Sequence, residues 1–181
     1  MTNDPEQTQK SRRLAHALRH RPDAYGLVLE PGGWAATSAV CAALALSEAQ
    51  LRALVDAPGR ARFERSGDRI RARHGHSVAV ALDHPVAVPP ELLFHGTVAR
   101  KLAAIRAEGL RALARQHVHL TSSRDEAIAI GARRGAPIVI AVRARALHDR
   151  GARFLQVVGS SIWLVEGVPA DVLDFARDAD R

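Results

Sequence analysis

Residues 62–72, RFERSGDRIRA, decide the fold of the N-terminal half of this 181-residue chain. The segment alternates on both sides of Ser66-Gly67-Asp68, so it predicts a strand, a tight turn and a returning strand. Alternate side chains of a strand share a face. Arg71 and Arg73, in the continuation IRARHGHS (residues 70–77), are therefore expected to point together, away from Ile70 and Ala72. A solvent-facing basic strand and an anion-binding strand both fit that pattern.

Working upstream, residues 8–21 predict a helix with Leu14, Ala17 and Leu18 on one face, stopped by Pro22. It ends in a crowd of cations: Arg12, Arg13, Arg19, His20 and Arg21. They form either a solvated face or a socket for phosphate. LVLEPGGWA (residues 27–35) predicts a short strand, a Pro-Gly turn and an aromatic anchor at Trp34. TSAVCAALAL predicts a second helix, capped by Thr37 or Ser38. Ser47 and Gln50 form a capping-box pattern ahead of Leu51, Leu54 and Val55, which predicts a third. Helices followed by a hairpin in a small basic unit resemble a winged-helix module.

Downstream, ALDHPVAVPPELL (residues 81–93) carries three prolines and little periodicity. It predicts a joint, with one lobe at 1–84, a linker at 85–91 and a second lobe at 92–181. In the second lobe LLFHGT, VHLTSS, PIVIAVRA, FLQVV and SIWLV predict strands. VARKLAAIRAEGL predicts a helix stopped by Gly109. Another is predicted after the Ser123/Glu126 capping box, running toward Gly135, and a last one at PADVLDFARDAD, opened by Pro169. The fold class expected is α+β, with a mixed α/β second lobe.

The formal charge is +7 and the cations are nearly all arginine, lysine occurring only at Lys10 and Lys101. Guanidinium groups bind phosphate in a bidentate way and stay charged at any working pH. The balance favours polyanionic partners without specificity. Cys41 is the single cysteine, which excludes an internal disulfide and a thiolate metal cluster. The polar N-terminus lacks a signal-peptide core, and no segment is long and apolar enough for a membrane span. A cytoplasmic protein without membrane attachment or an obligate protein partner is the expectation.

Three short motifs could carry chemistry. FHGT (residues 94–97) offers a ring, a closely approachable backbone and a hydroxyl, groups that suit a nucleotide or ribose. GARRG (residues 131–135) places Arg133 late in a predicted helix, where it could offset the dipole or meet an anion. His74-x-His76 and His117-x-His119 could pair rings on a strand, but no carboxylate or thiolate stands near in sequence, so no metal is expected. Neither a P-loop nor a Rossmann glycine pattern is present.

In order, SRRLAHALRHRP, GLVLEPGGWA, IRARHGHS, FHGT, VHLTSS, GARRGAPIVIAV and GSSIWLVEGVP resemble the NAD-dependent RNA 2′-phosphotransferases, which remove the 2′-phosphate left at a tRNA splice junction. The resemblance runs from about Ser11 to Val172. It implies a winged-helix-like RNA lobe followed by an ADP-ribosyltransferase-like lobe. It implies an Arg-His-Arg-Arg tetrad at Arg19, His20, Arg71 and Arg133. NAD+ would be held as co-substrate by His95, Gly96 and Thr97, with His119 and Thr121. The implied partner is 2′-phosphorylated RNA, tRNA included. Two departures stand out: Arg73-His74 where the family usually has Asn-Gln, and Ser160-Ser161 where it usually has Asn-Gly.

The implied chemistry has two steps. The RNA 2′-phosphate displaces nicotinamide from the ribose, and the 2″-hydroxyl then attacks phosphorus, giving 2′-OH RNA and ADP-ribose 1″,2″-cyclic phosphate. Two other functions fit the same sequence: ADP-ribose capping of terminal phosphates on RNA or DNA, and a non-enzymatic winged-helix nucleic-acid-binding module.

Overall fold

A computed structural model describes residues 5–57 and 62–175. The chain divides into two compact units, Met1–Asp83 and His84–Arg181.

The first unit opens with α1, Pro5–Arg19. Glu6 and Lys10 pair across one turn at 2.6 Å. Leu14, Ala17 and Leu18 are fully buried, the stripe expected from their spacing. Pro22 starts a 3-10 turn over Asp23–Tyr25 that Gly26 closes in the left-handed region, φ 63°. The strand expected at residues 27–29 is absent. β1 instead follows the Pro-Gly-Gly turn, at Trp34–Ala36, because Gly32 and Gly33 both take positive φ and reverse the chain before pairing begins.

α2, Thr37–Leu44, starts from Ala36 with no side-chain cap, so neither Thr37 nor Ser38 plays the expected role. α3, Glu48–Val55, has the full capping box: Gln50 N–H donates to Ser47 Oγ at 3.2 Å, and Ser47 N–H to Gln50 Oε1 at 2.9 Å. The hairpin is β2, Phe63–Ser66, and β3, Arg69–Ala72. The sheet order is β1-β3-β2, antiparallel throughout. Phe63, Ile70, Ala72 and Ala35 close one core with Leu14, Leu18, Val40, Leu51 and Leu54. Each fully buried leucine contributes roughly 1.5–3 kcal/mol.

Residues 85–91, expected as the linker, are hydrogen-bonded to the second unit. Ala87 N–H donates to Phe154 O at 3.0 Å, Gln156 N–H to Pro85 O at 3.1 Å and Ala144 N–H to Glu91 O at 2.9 Å. The strands expected from the sequence appear as β4, Leu92–Thr97; β6, Val118–Thr121; β7, Ile138–Arg143; β8, Leu155–Gln156; and β9, Ile162–Val165. β5, Leu110–Arg111, and β10, Gly167–Val168, form an additional two-stranded pair. The main sheet runs β11-β7-β4-β6-β9-β8, with β11 at Leu173–Phe175, and all its pairings are antiparallel. The last helix expected from Pro169 is therefore overturned over residues 169–175: a 3-10 turn and β11 stand there, while residues 176–180 lie outside the described residues.

α4, Leu102–Glu108, ends at Gly109 as expected. α5, Arg124–Gly131, follows Ser123, whose hydroxyl accepts from Glu126 N–H at 3.2 Å. α6, Ala144–Asp149, was not legible. The second core gathers Leu93, Ile140, Val142, Phe154, Trp163 and Val165 and shares no residue with the first. Among the described residues no single helix is long and apolar enough to cross a membrane.

Candidate functional site

Arg19 and His20 sit where α1 ends, and the segment after β3 returns to meet them. Ser77 N–H donates to Arg19 O at 2.9 Å, and Ser77 Oγ lies 2.9 Å from His20 Nδ1. A hydroxyl both donates and accepts, so this bond survives either protonation state of the ring. The Arg19 guanidinium lies 5.9 Å over the Phe63 ring and donates to Arg62 O at 3.4 Å. Gly75 permits the return: its φ is +91°, and a Cβ there would meet Arg19 Nη1 at 3.4 Å. The C-terminal pole of a helix favours cations by itself, so part of the basic crowding serves α1.

The expected basic strip on β3 is not what the structure holds. Arg71 is buried, at 7% exposure. Trp34 and Glu64 flank it in register on either side. Its Nε donates to Glu64 Oε2 at 2.9 Å, and Nη2 reaches the same oxygen at 2.9 Å. Its Nη1 donates to Gly32 O at 3.2 Å and to Asp83 Oδ1. The guanidinium carbon lies 4.4 Å from the Trp34 ring centroid, within cation–π range. Arg73 donates from Nε to Phe63 O at 3.2 Å. Burial of a cation requires such partners, which is why the solvent-facing reading fails. Neither Glu64 nor Asp83 was among the residues expected at the site. Glu64 was legible from the hairpin, since a turn at Gly67-Asp68 sets it opposite Arg71. Asp83 carried no signal.

In the second unit His95 lies on β4, and its Nδ1 is 3.1 Å from His119 O on β6. A carbonyl only accepts, so Nδ1 carries the hydrogen and Nε2 is the acceptor of the neutral ring. Burial pushes the His95 pKa down, the His119 carbonyl opposes that, and the charges of Arg134, Lys101 and Arg115 lower it further. Arg115 is itself lowered, by desolvation and then by Arg134. Cations thus gather around a neutral imidazole, an environment suited to an anionic ligand.

Gly96 is dictated by packing: a Cβ there would lie 1.9 Å from Ala127 O on α5. Thr97 and Thr121 are buried. The Thr121 hydroxyl donates to Glu126 Oε2 at 2.7 Å and accepts from Ser123 N–H at 3.1 Å. Ser161 Oγ donates to the same Glu126 oxygen, and Ser161 O accepts from Ser122 N–H at 3.0 Å. Glu126, expected only as half of a capping box, therefore ties the β6–α5 turn to the turn before β9. It bonds outward rather than back to Ser123 N–H, so the expected second half of that capping box is replaced. Arg133 is exposed in a 3-10 turn, Ala132–Arg134, directly after α5.

Of the four residues expected as a tetrad, Arg19, His20 and Arg71 belong to the first unit and Arg133 to the second. His76 is buried, 3.2 Å from where a Gly33 Cβ would stand. Among the described residues no group of three or more His, Cys, Asp or Glu side chains is placed to hold a metal ion.

A sequence model of the RNA 2′-phosphotransferase, Tpt1 / KptA family matches residues 5–167. A Streptomyces griseus protein named "Probable RNA 2′-phosphotransferase" is 45% identical over 181 residues, covering 92% of this chain and 95% of its own length. A Streptomyces coelicolor protein of the same name is 45% identical over 176 residues, covering 94% and 96%. An Agrobacterium fabrum protein, again of that name, is 42% identical over 179 residues, covering 95% and 96%.

Proposed function

The chain belongs to the RNA 2′-phosphotransferase family, and from that premise we propose that it removes an internal RNA 2′-phosphate by transferring it to NAD+. The products are 2′-OH RNA, nicotinamide and ADP-ribose 1″,2″-cyclic phosphate, by way of an ADP-ribosylated RNA phosphate. One observation carries the reading: the family match at 5–167 spans Arg19, His20, Arg71, His95 and Arg133 together. The units are then a winged-helix-like RNA lobe and an ADP-ribosyltransferase-like lobe. Three helices with a three-stranded antiparallel sheet, and a six-stranded sheet flanked by short helices, are compatible with those architectures. A cytoplasmic location belongs to the same proposal.

NAD+ fits the second unit by the chemistry of its donors. His95 keeps a neutral ring with an acceptor nitrogen for a ribose hydroxyl, and Arg115, Lys101 and Arg134 raise the local potential for a pyrophosphate. The other residues expected to hold NAD+, Gly96, Thr97, His119 and Thr121, stand on the adjacent strands β4 and β6. NAD+ supplies an activated ribose that accepts the phosphate.

The remaining work falls to the protein. Arg19, Arg71 and Arg133 stabilise charge on phosphoryl oxygens, each contributing roughly 10²–10³ in rate by analogy with oxyanion donors. His20, held by Ser77, hydrogen-bonds the phosphate and moves the proton of the second step.

The test is a reaction of NAD+ with an oligonucleotide bearing an internal 2′-phosphate, reading nicotinamide and both phosphate-containing products. Dephosphorylated RNA and the cyclic phosphate are expected together. His20→Ala should accumulate the ADP-ribosylated RNA, because its second step slows more than its first. No nicotinamide release from the parent protein would overturn the reading. Label transfer from NAD+ only onto 5′-phosphorylated strands would replace it with terminal capping.

A further inference from the structure

Arg71 is held by two carboxylates that differ in kind. A guanidinium has five N–H groups, and the contacts of Arg71 engage four of them: two on Glu64, one on Gly32 O and one on Asp83. Its side chain is 8% exposed. Glu64 is 26% exposed and fixed opposite Arg71 by the hairpin register. Asp83 is 57% exposed and lies outside any strand, at the end of the segment that follows β3. Trp34 closes one face of the guanidinium and the Gly32 carbonyl stands beside Asp83. The more exposed of the two carboxylates is thus the one on the Nη1 side of Arg71.

One cation facing two carboxylates leaves a local excess of negative charge, unfavourable for a phosphate dianion. A carboxylate and a phosphate make the same charge-assisted hydrogen bonds to a guanidinium edge. We propose that Asp83 occupies the phosphate position on Arg71 when no substrate is bound, and that the RNA 2′-phosphate displaces it. Glu64 stays as the buttress that orients the guanidinium. Asp83 thereby keeps a buried cation paired in the empty protein and sets the threshold that an anion must pass to reach it. This rests on the reading of Arg71 as a phosphate ligand.

The experiment compares wild type, Asp83→Asn and Asp83→Ala in binding one oligonucleotide with and without its internal 2′-phosphate. Both variants should bind the phosphorylated strand roughly tenfold more tightly, the gain expected if the displaced state is about one-tenth populated. Binding of the unphosphorylated strand, which has no group for that position, should change by less than about twofold. A residue that merely propped the fold would weaken both. Equal or weaker binding of the phosphorylated strand by variants that keep the parental melting temperature overturns the proposal. A wild-type crystal structure with a 2′-phosphorylated dinucleotide gives an answer independent of the variants. A phosphate oxygen on Arg71 Nη1 with Asp83 turned away supports the exchange, and a phosphate bound beside an intact Arg71–Asp83 pair overturns it. Nicotinamide release by wild type separates the two failures. With release intact, an unaffected Asp83 variant removes only this proposal; without release and without preference for the phosphorylated strand, both fall.

Discussion

At the scale of a residue, His95 shows how surroundings choose a protonation state. Its folded pKa lies below the unfolded value, chiefly through burial. Protonation then favours the unfolded chain, so its contribution to stability is complete above about pH 6.5 and is lost as pH falls through the folded value. Thermal unfolding followed from about pH 8 to pH 5 should show a loss on the acid side that His95→Gln reduces. Ring-nitrogen NMR should report a neutral, Nδ1-protonated imidazole at neutral pH. A His95 that titrates above its usual range would contradict the geometry. Arg71 teaches the opposite lesson about legibility. Its alternation with Ile70 and Ala72 was readable, but its burial was not. The Asp83 carboxylate comes from outside the hairpin and the Gly32 carbonyl from a turn almost forty residues earlier.

At the scale of an element, α5 packs against β4 with no room between them. Gly96→Ala would place a methyl group against Ala127 O, and overpacking of this kind costs about 1–3 kcal/mol or more. Gly67→Ala is the control: its φ is +59° and nothing lies within 4 Å, so only the left-handed strain of about 1–2 kcal/mol applies. Urea unfolding should rank Gly96→Ala as the more damaging of the two. Elements with strong local signals were legible: α1 from its apolar stripe, α3 from Ser47 and Gln50, and the hairpin from its turn. The failures have different causes. DVLDF has helical spacing after a proline, yet Leu173–Phe175 completes the edge of β7. Tertiary pairing overrode local propensity there. β5 and β10 are two residues each, too short to show any period.

For the whole molecule, a charge of +7 carried almost wholly by arginine gives sequence-independent attraction to RNA. Raising salt from about 50 to 200 mM should weaken binding of phosphorylated and plain strands alike, by roughly twentyfold for about three phosphates neutralised on a single strand. Fluorescence anisotropy on both strands checks this, and salt-independent affinity would remove the electrostatic account. The contacts of each expected site residue were the part least available beforehand. Motif order singled out Arg19, His20, Arg71 and Arg133 as expected phosphate ligands, but no periodicity records that Arg71 is buried between Trp34 and Glu64.

The two cores also differ in how long the growing chain must wait for them. Every strand of the small sheet has emerged once Ala72 is made. β4, by contrast, begins its sheet with Leu92 and finds its β7 neighbour only about 50 residues later, at Arg143. On the ribosome the N-terminal unit can therefore close early. The β7-facing edge of β4 stays unpaired until β7 is made, an interval in which the nascent protein is exposed to aggregation.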